Sequence, residues 1–281
     1  MSRKPMLVVA VSGGVDSMVM LDKLIKQSDH NLVVAHVNHG IRSDSGEDEA
    51  LVRQVAESHH LPVEVCRLHL GEGASEQVAR QGRHEFLNKV KTDYGAEAVA
   101  TAHHLDDVAE TIILNFMRGT GWRGLCSLRE TNSLKRPLLD LRKSQVLSYA
   151  IQNGLHWHED STNDDLRYTR NLIRHFYLSK LQPDQFDGLI ALWRRQCILR
   201  PQIDELVSSL VESNFDRCWL ELDDAMTVEL LRAWLGSNYQ AATFKRLVKF
   251  GREALPGKKF NLPGDEMILA ERDKLVAIGR R

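Results

Sequence analysis

A short glycine-containing segment near the start of the chain has the residue types of an anion-binding turn. It follows an apolar run, precedes a stretch with helical spacing, and consists of Ser12, Gly13, Gly14, Val15, Asp16 and Ser17. Two adjacent glycines allow positive φ angles and a close approach of the backbone to a ligand. A helix beginning here would offer unpaired N–H groups and the positive end of its dipole, while the serines add hydroxyl donors. The segment therefore predicts a pyrophosphate cradle, in which Asp16 would hold a bridging Mg²⁺ ion.

The same segment has a simpler interpretation as an ordinary turn, with serine or aspartate capping the helix. A single Gly-Gly pair would favour that interpretation, but the complete six-residue pattern between a strand and a helix favours phosphate binding. The segment matches neither G-x-x-x-x-G-K-S/T nor G-x-G-x-x-G, so we expect neither a Walker-type site nor a dinucleotide site.

Two acidic residues share one side of a helix predicted further along the chain. Asp107 and Glu110 are three residues apart, and side chains with this spacing project from the same face. Beside an anion-binding loop, such a pair suits the ammonium group of a substrate. Arg118 follows Asp107 by about three whole turns, so it would return to the same face and contact phosphates or developing charge. An ordinary solvated helix face is the alternative.

Histidines follow two of the predicted strands. His103 and His104 would point in opposite directions, so we expect only one of them at the site. We choose His104 as a candidate acceptor for the proton of an attacking amine, with a carboxylate or solvent as the alternative acceptor. His36 and Asn38, together with the neighbouring His39, would line a nucleotide pocket, and capping of their own loop is equally compatible with the sequence.

The elements that must position these residues follow an alternating pattern. Apolar runs at Met6–Val11, Leu32–Val37, Val63–Leu68 and Ala98–Ala102 alternate with segments of helical spacing. This alternation indicates βαβ units, and we predict an α/β fold with a parallel sheet. Ligands of such sheets bind beyond the carboxyl ends of the strands, which is where the candidate residues fall.

The pattern changes after Pro183, where helical segments follow one another without clear strands before a short β-like tail. We therefore predict a catalytic domain over residues 1–182 and a mainly helical domain over residues 183–281. The formal net charge is -1, so a nucleic acid would have to meet local basic patches. Candidate phosphate contacts from the two domains are Arg80, Arg83, Arg170, Arg174, Lys245, Arg246 and Lys249. Arginines and lysines on amphipathic helices are more often simply solvated.

These residues, taken with further motifs, resemble a known family. The further motifs are His36–Arg42, Thr101–Asp107, Arg118–Gly121, Arg136–Leu139, Glu159–Asn163 and Arg170–Arg174. The glycine loop resembles the PP-loop of the N-type ATP pyrophosphatases, and the whole set over residues 6–180 resembles the tRNA(Ile)-lysidine synthetase family. The resemblance implies that ATP adenylates the C2 oxygen of the wobble cytidine in a CAU anticodon. Free L-lysine then attacks, AMP leaves, and lysidine forms.

The resemblance also implies roles for individual residues. It assigns the lysine substrate to Asp107 and Glu110, and adenine or ribose contacts to His36 and Asn38. The expected cofactors are ATP and Mg²⁺, and the expected partner is tRNA(Ile) with a CAU anticodon. The chain resembles the short form of the enzyme, without the further C-terminal module of longer members. The oligomeric state stays open, with a homodimer as one option.

Composition narrows the function classes further. No segment predicts a signal peptide or a membrane span, and the four cysteines form no C-x-x-C pair, so we expect a protein of the reducing cytoplasm. A tRNA thiolase with the same loop is the main alternative, but it would need catalytic cysteines. An ammonia-using ligase of small molecules would not need the basic helical region, and a nucleotide sensor would not need the acidic pair.

Overall fold

The computed structural model describes residues 4–27, 29–38, 45–68, 76–158, 169–211, 213–236 and 239–279. By the contacts of its backbone, the chain divides into two compact units, Met1–Gln196 and Cys197–Arg281. The first unit contains a five-stranded parallel sheet with the strand order β3-β2-β1-β4-β5. The α/β fold with a parallel sheet is therefore confirmed.

The first four strands of this unit and the helices between them follow the predicted order, whereas the fifth strand was not predicted. The strands are β1 (Met6–Ala10), β2 (Asn31–Asn38), β3 (Val63–Arg67), β4 (Ala98–Ala100) and β5 (Leu134–Lys135). The helices are α1 (Val15–Gln27), α2 (Ser45–Ser58), α3 (Glu76–Asp93), α4 (Leu105–Met117), α5 (Trp122–Leu125), α6 (Lys143–Gln152) and α7 (Thr169–Leu172). A π-helical turn (Ile173–Tyr177) and a 3₁₀ turn (Leu178–Lys180) follow α7 and lead to α8 (Pro183–Ser209).

Both faces of the parallel sheet are buried, which explains why its strands are apolar runs without alternation. Leu7 and Val9 of β1 pack into a core with α1, α2 and α6, whereas Val8 packs on the opposite face with Leu87 and Val90 of α3. Successive side chains of a strand point to opposite faces, so one short strand supplies both cores. The rigid sheet holds the carboxyl ends of β1, β2 and β4 side by side.

The order of the strands defines where the loops meet. The chain leaves β1 towards β2 on one side and later returns to pair β4 with β1 on the other side. The crevice between β1 and β4 is thus the switch point at which parallel sheets bind ligands. The glycine loop follows β1 at this point, and α4 begins just beyond β4.

The second unit combines helices with a four-stranded antiparallel sheet of order β6-β9-β8-β7. Its elements are β6 (Phe215–Asp216), a 3₁₀ turn (Arg217–Glu221), α9 (Asp224–Leu235), α10 (Ala241–Glu253), β7 (Lys259–Asn261), β8 (Met267–Ala270) and β9 (Lys274–Ile278). Phe215, Leu231, Phe244 and Leu275 lie in its separate core. In the described part of the chain, no helix is both long enough and apolar enough to span a bilayer.

The two compact units divide inside α8, between Gln196 and Cys197. The domain bounds 1–182 and 183–281 stay a prediction. The change of pattern after Pro183 marks the start of this 27-residue helix, which continues through Pro201. A proline inside a helix removes one backbone hydrogen bond, and this helix runs on despite that cost.

Candidate functional site

The glycine loop of residues 12–17 is a tight, internally bonded turn at the end of β1. Gly13 has a φ of +96°, the region that side-chain-bearing residues rarely adopt. The Ser17 hydroxyl accepts a hydrogen bond from the Ser12 N–H at 3.1 Å and donates to the Gly14 carbonyl at 2.9 Å. Ser17 is buried, and its hydroxyl proton is used inside the loop. The serine hydroxyls therefore form hydrogen bonds within the loop itself and stabilise its conformation.

Two residues outside the predicted set lie against this loop. The N–H of His158 donates to the Gly13 carbonyl at 3.1 Å, and its Nδ1 lies 2.9 Å from Oδ1 of Asp48. A Cβ added to Gly13 would meet that Asp48 oxygen at 3.1 Å. Glycine at position 13 is thus required by both its φ angle and its close neighbour. Neither Asp48 nor His158 stands in a spacing that would have singled it out from the sequence.

Asp16 lies in the first turn of α1, as predicted, with one carboxylate oxygen occupied. The Nζ of Lys143 is 2.6 Å from Oδ1 of Asp16, while Oδ2 is 3.8 Å from Nε2 of His104. The Asp16 side chain is about one-third exposed, so a ligand can reach its carboxylate. Magnesium is commonly held by one or two carboxylates together with substrate phosphates, and Asp16 fits such a site.

His104 connects the loop to the beginning of α4. Its buried ring has Nε2 at 3.8 Å from Asp16 and 3.5 Å from Asp107, and Nδ1 at 3.7 Å from Asp106. Asp107 also accepts a hydrogen bond from the His104 N–H at 2.9 Å and so caps α4. The structure therefore brings Asp16, His104 and Asp107 together, as the sequence predicted.

Glu110 lies one turn deeper than Asp107, and its surroundings differ from the prediction. It is fully buried, and its Oε1 accepts a hydrogen bond from Nε of Arg174 at 2.7 Å. Its Oε2 has no hydrogen-bond partner among the described residues. Burial raises the pKa of Glu110, while the bond from Arg174 opposes that rise. Arg174, which we expected to meet tRNA phosphate, is thus the internal partner of the second acid.

His103 lies in a strongly basic environment. Its Nδ1 is 3.1 Å from the hydroxyl of Thr101. Burial, together with the charges of Arg136, Arg170 and Arg83, lowers its pKa from 6.5 to about 3. The ring is therefore neutral at physiological pH. Arg83, Arg170 and the buried Arg136 all act on this one histidine.

The match to a family model covers most of the unit that carries these residues. Residues 2–181 match ATP_bind_3, a family described as a PP-loop domain. The chain belongs to the PP-loop family. The glycine loop described above occupies the position after β1 for which the family is named, and we refer to it as the PP-loop from here on.

Curated tRNA(Ile)-lysidine synthases are similar to this PP-loop chain, which spans about half of their length or less. The protein from Streptococcus equi subsp. zooepidemicus is 35% identical over 251 residues, covering 85% of this chain and 56% of the relative. The protein from Thermus thermophilus is 41% identical over 186 residues, covering 64% of this chain and 36% of the relative. The protein from Staphylococcus epidermidis is 38% identical, covering 62% and 43%, respectively.

A solved structure of a U34-tRNA thiolase from Methanococcus maripaludis has a similar fold. It superposes with a TM-score of 0.57 at 22% identity, covering 70% of this chain and 73% of the other. At this identity the likeness concerns the fold alone. It agrees with the parallel-sheet fold of the first unit.

Other predicted nucleotide-site residues have structural partners within the sheet. His36 is buried, and its Nδ1 lies 2.8 Å from the Val11 carbonyl, which ties β2 to the end of β1. Its Nε2 has no hydrogen-bond partner among the described residues. Asn38 is buried at the end of β2. His39 and the Glu159–Asn163 motif lie outside the described residues.

The structure does not bring Arg118 to the acids. Arg118 is exposed and lies just beyond the last residue of α4, whereas Asp107 lies in its first turn. Eleven residues of helix separate the two by about 16 Å along the axis, more than the length of an arginine side chain. The spacing of eleven residues places Asp107 and Arg118 on about the same face of α4, but the rise along the helix keeps their side chains apart.

The basic residues proposed for nucleic acid lie on surfaces of both units. Arg80 and Arg83 are exposed on α3, and Lys245, Arg246 and Lys249 form a stripe along α10. Arg252, further along that helix, is held by the Leu220 and Leu222 carbonyls and by Asp224. Arg252 therefore does not extend the stripe of Lys245, Arg246 and Lys249.

Proposed function

We propose that this chain uses ATP to ligate free L-lysine to C2 of the wobble cytidine of tRNA(Ile) bearing a CAU anticodon, forming lysidine. The observation that carries the proposal is the similarity to curated tRNA(Ile)-lysidine synthases, at 35% identity over 85% of the chain. The grouping of Asp16, His104 and Asp107 beside the PP-loop supports it. The cytoplasm, where tRNA is modified, is the proposed location.

Different residues of the site are proposed to bind ATP and the amine. Backbone N–H groups of the PP-loop and the start of α1 would bind the pyrophosphate end of ATP, and Asp16 would hold Mg²⁺, whose charge would neutralise the phosphates. Adenylation converts the C2 oxygen into a leaving group, so that an amine can displace AMP. The residues that bind and orient the amine are then the acids of α4.

We propose Asp107 as the carboxylate that directly receives the substrate ammonium. Its side chain is 15% exposed, whereas that of Glu110 is 0% exposed. Glu110 would reach the amine only after Arg174 leaves it. His104, whose Nε2 faces both Asp16 and Asp107, is the proposed proton acceptor for the attacking amine.

We propose that tRNA phosphates contact Arg80, Arg83 and Arg170 of the first unit and the stripe Lys245, Arg246 and Lys249 of the second. Binding through such residues should weaken with added salt, because phosphate contacts release counterions. Arg174 stays a further proposed phosphate contact, because its Nε is the atom paired with Glu110 and its side chain is 41% exposed. A homodimer stays a hypothesis.

The test is mass spectrometry of tRNA(Ile) with a CAU anticodon after incubation with the protein, ATP, Mg²⁺ and isotope-labelled lysine. We expect the lysine label on the wobble base. Asp107→Asn should reduce the use of lysine by about tenfold or more, the scale of a charge-assisted hydrogen bond, while ATP–pyrophosphate exchange falls less. Asp140→Asn is the matched control, because Asp140 is largely exposed.

An unmodified wobble base would reject the proposal, and sulfur at that position would favour a thiolase. The cysteines give a second way to separate the two reactions. Cys126 is buried and Cys66 is half-buried. A lysine ligase should retain its activity when both are replaced by serine, whereas a thiolase dependent on either one should lose it.

A further inference from the structure

Lys143 forms an ion pair with Asp16, the acid of the PP-loop, although no motif of the sequence pointed to it. It is the first residue of α6, and its Nζ lies 2.6 Å from Oδ1 of Asp16. The Lys143 side chain is 45% exposed and that of Asp16 is 31% exposed. An ion pair with this exposure is weak and exchanges its partners readily. The ammonium group is thus held at the mouth of the loop without being fixed there.

The backbone of Lys143 is anchored much more firmly than its ammonium group. Its N–H donates to Oδ2 of Asp106 at 2.7 Å, and the guanidinium of Arg142 donates to the same carboxylate. Further along α6, the hydroxyl of Tyr149 donates to Asp22 of α1 at 2.7 Å. The base of the side chain therefore keeps a fixed position relative to α1, while four flexible carbons let the ammonium group move.

The start of α1 is where the phosphates of a nucleotide would lie. An ammonium group already in contact with Asp16 is within a side-chain movement of the N–H groups of the loop. A lysine on a flexible stem beside a phosphate-binding loop is the arrangement by which P-loop proteins contact the outer phosphates. Here the lysine comes from a separate helix, α6, and not from the loop itself.

We propose that Lys143 is an additional phosphate-binding residue of this site. While no nucleotide is bound, its ammonium group is paired with Asp16. The inference rests on one part of the proposed function, which is the binding of a nucleotide at the PP-loop. A metal-bound nucleotide takes the carboxylate of Asp16, and the released ammonium group donates to the β- and γ-phosphates. In the absence of nucleotide, Lys143 and a divalent cation compete for Asp16.

The proposal predicts two effects of opposite sign for Lys143→Met in the full chain. Without nucleotide, Mn²⁺ should bind the variant about threefold to tenfold more tightly, because the competing ammonium group is gone. With Mg²⁺ present, ATP should bind about tenfold more weakly, the scale of a lost charge-assisted hydrogen bond. AMP, which lacks the outer phosphates, should bind within about twofold of the parent.

Mn²⁺ binding can be measured by electron paramagnetic resonance, and nucleotide binding by isothermal titration calorimetry. Lys89→Met is the matched control, because Lys89 is exposed on α3, and both affinities should be unchanged. If the Mn²⁺ affinity rises but ATP binding is unaltered, Lys143 is only a counter-ion of Asp16 and the proposal is wrong. If ATP and AMP weaken equally, or all affinities fall together, Lys143 supports the structure of the site and the proposal is also wrong.

Neither measurement uses tRNA or lysine. A failure to form lysidine would therefore overturn the proposed function without affecting this inference. Conversely, a Lys143→Met variant with unchanged ATP binding would overturn the inference while the ligase function stands.

Discussion

The pair of Glu110 and Arg174 allows the clearest test of how the site is held together. Arg174→Met removes the guanidinium and leaves a carboxylate that is 0% exposed and has lost its 2.7 Å hydrogen bond. Removing one partner of a buried ion pair costs about 3–5 kcal/mol, because the remaining charge is buried and unpaired. The exposed pair of Arg194 and Asp140, at 3.2 Å, gives the matched control Arg194→Met, with a cost of about 0–1 kcal/mol.

The penalty of Arg174→Met should depend on pH in a defined direction. Burial raises the pKa of Glu110 above its ordinary value of 4.5, and loss of the opposing arginine raises it further. The folded variant then binds a proton that the unfolded chain has already released, so its stability falls as the pH rises from 4.5 through the raised pKa. The penalty should thus be largest at alkaline pH and smaller in acid.

The assay is urea unfolding at two pH values, with hydrogen exchange of peptides from α4 to assign the loss to the first unit. This assignment matters because a protein of two units does not have to unfold in a single step. Glu110→Gln combined with Arg174→Met should recover part of the stability, since the buried charge is then absent. Equal, small losses for Arg174→Met and Arg194→Met would refute the reasoning, as would a penalty that grows in acid.

Two further predictions concern the loop and the buried histidine. Gly13→Ala should cost about 1–3 kcal/mol in thermal unfolding and weaken ATP binding, because its φ is +96° and the new Cβ would lie 3.1 Å from Asp48. Gly14→Ala, with its new Cβ at an ordinary 3.6 Å from Ser12, should be milder, and equal losses would contradict this account. The pKa of His103 is lowered to about 3 from 6.5, so the unfolded chain binds the extra proton between these values and stability falls as the pH drops through them. His103→Gln should therefore lose less stability than the parent over that range in urea titrations, and parallel curves would argue against the lowered pKa.

Four strands of the first unit were predictable from the sequence because each is a short, largely apolar run, whereas the two-residue strand β5 was not predicted. The predicted strand Leu32–Val37 and the observed Asn31–Asn38 differ by one residue at each end. The sequence also did not show that one helix, α8, would continue through Pro201. The sequence shows that a proline removes a backbone hydrogen bond from the helix. It does not show the tertiary contacts that offset this loss.

The site was predictable where its residues follow strands and unpredictable where they come from distant segments. The loop acid Asp16 and the helix-capping Asp107 were found because strand ends gather at one edge of the sheet. Lys143 and His158 were missed, since each reaches the loop from a separate segment and stands in no recognisable spacing. The pairing of Arg174 with Glu110 was missed for a related reason: the sequence shows the charge of Arg174 but not that the carboxylate beside it is buried.

Three acids around the PP-loop are already paired with bases of the same chain, and this affects how selective the crevice is. Asp16 is paired with Lys143, Asp106 with Arg142, and Glu110 with Arg174. A ligand that binds one of these three acids must therefore displace an ammonium or guanidinium group of the protein, whereas Asp107, the proposed amine site, has the His104 ring beside it. Such an exchange leaves the number of ion pairs unchanged. The binding free energy of the ligand therefore depends on its shape and not on its charge alone. Simple salts and small amines therefore bind these three acids weakly. A molecule that contacts several of the charged groups at once forms as many ion pairs as it breaks.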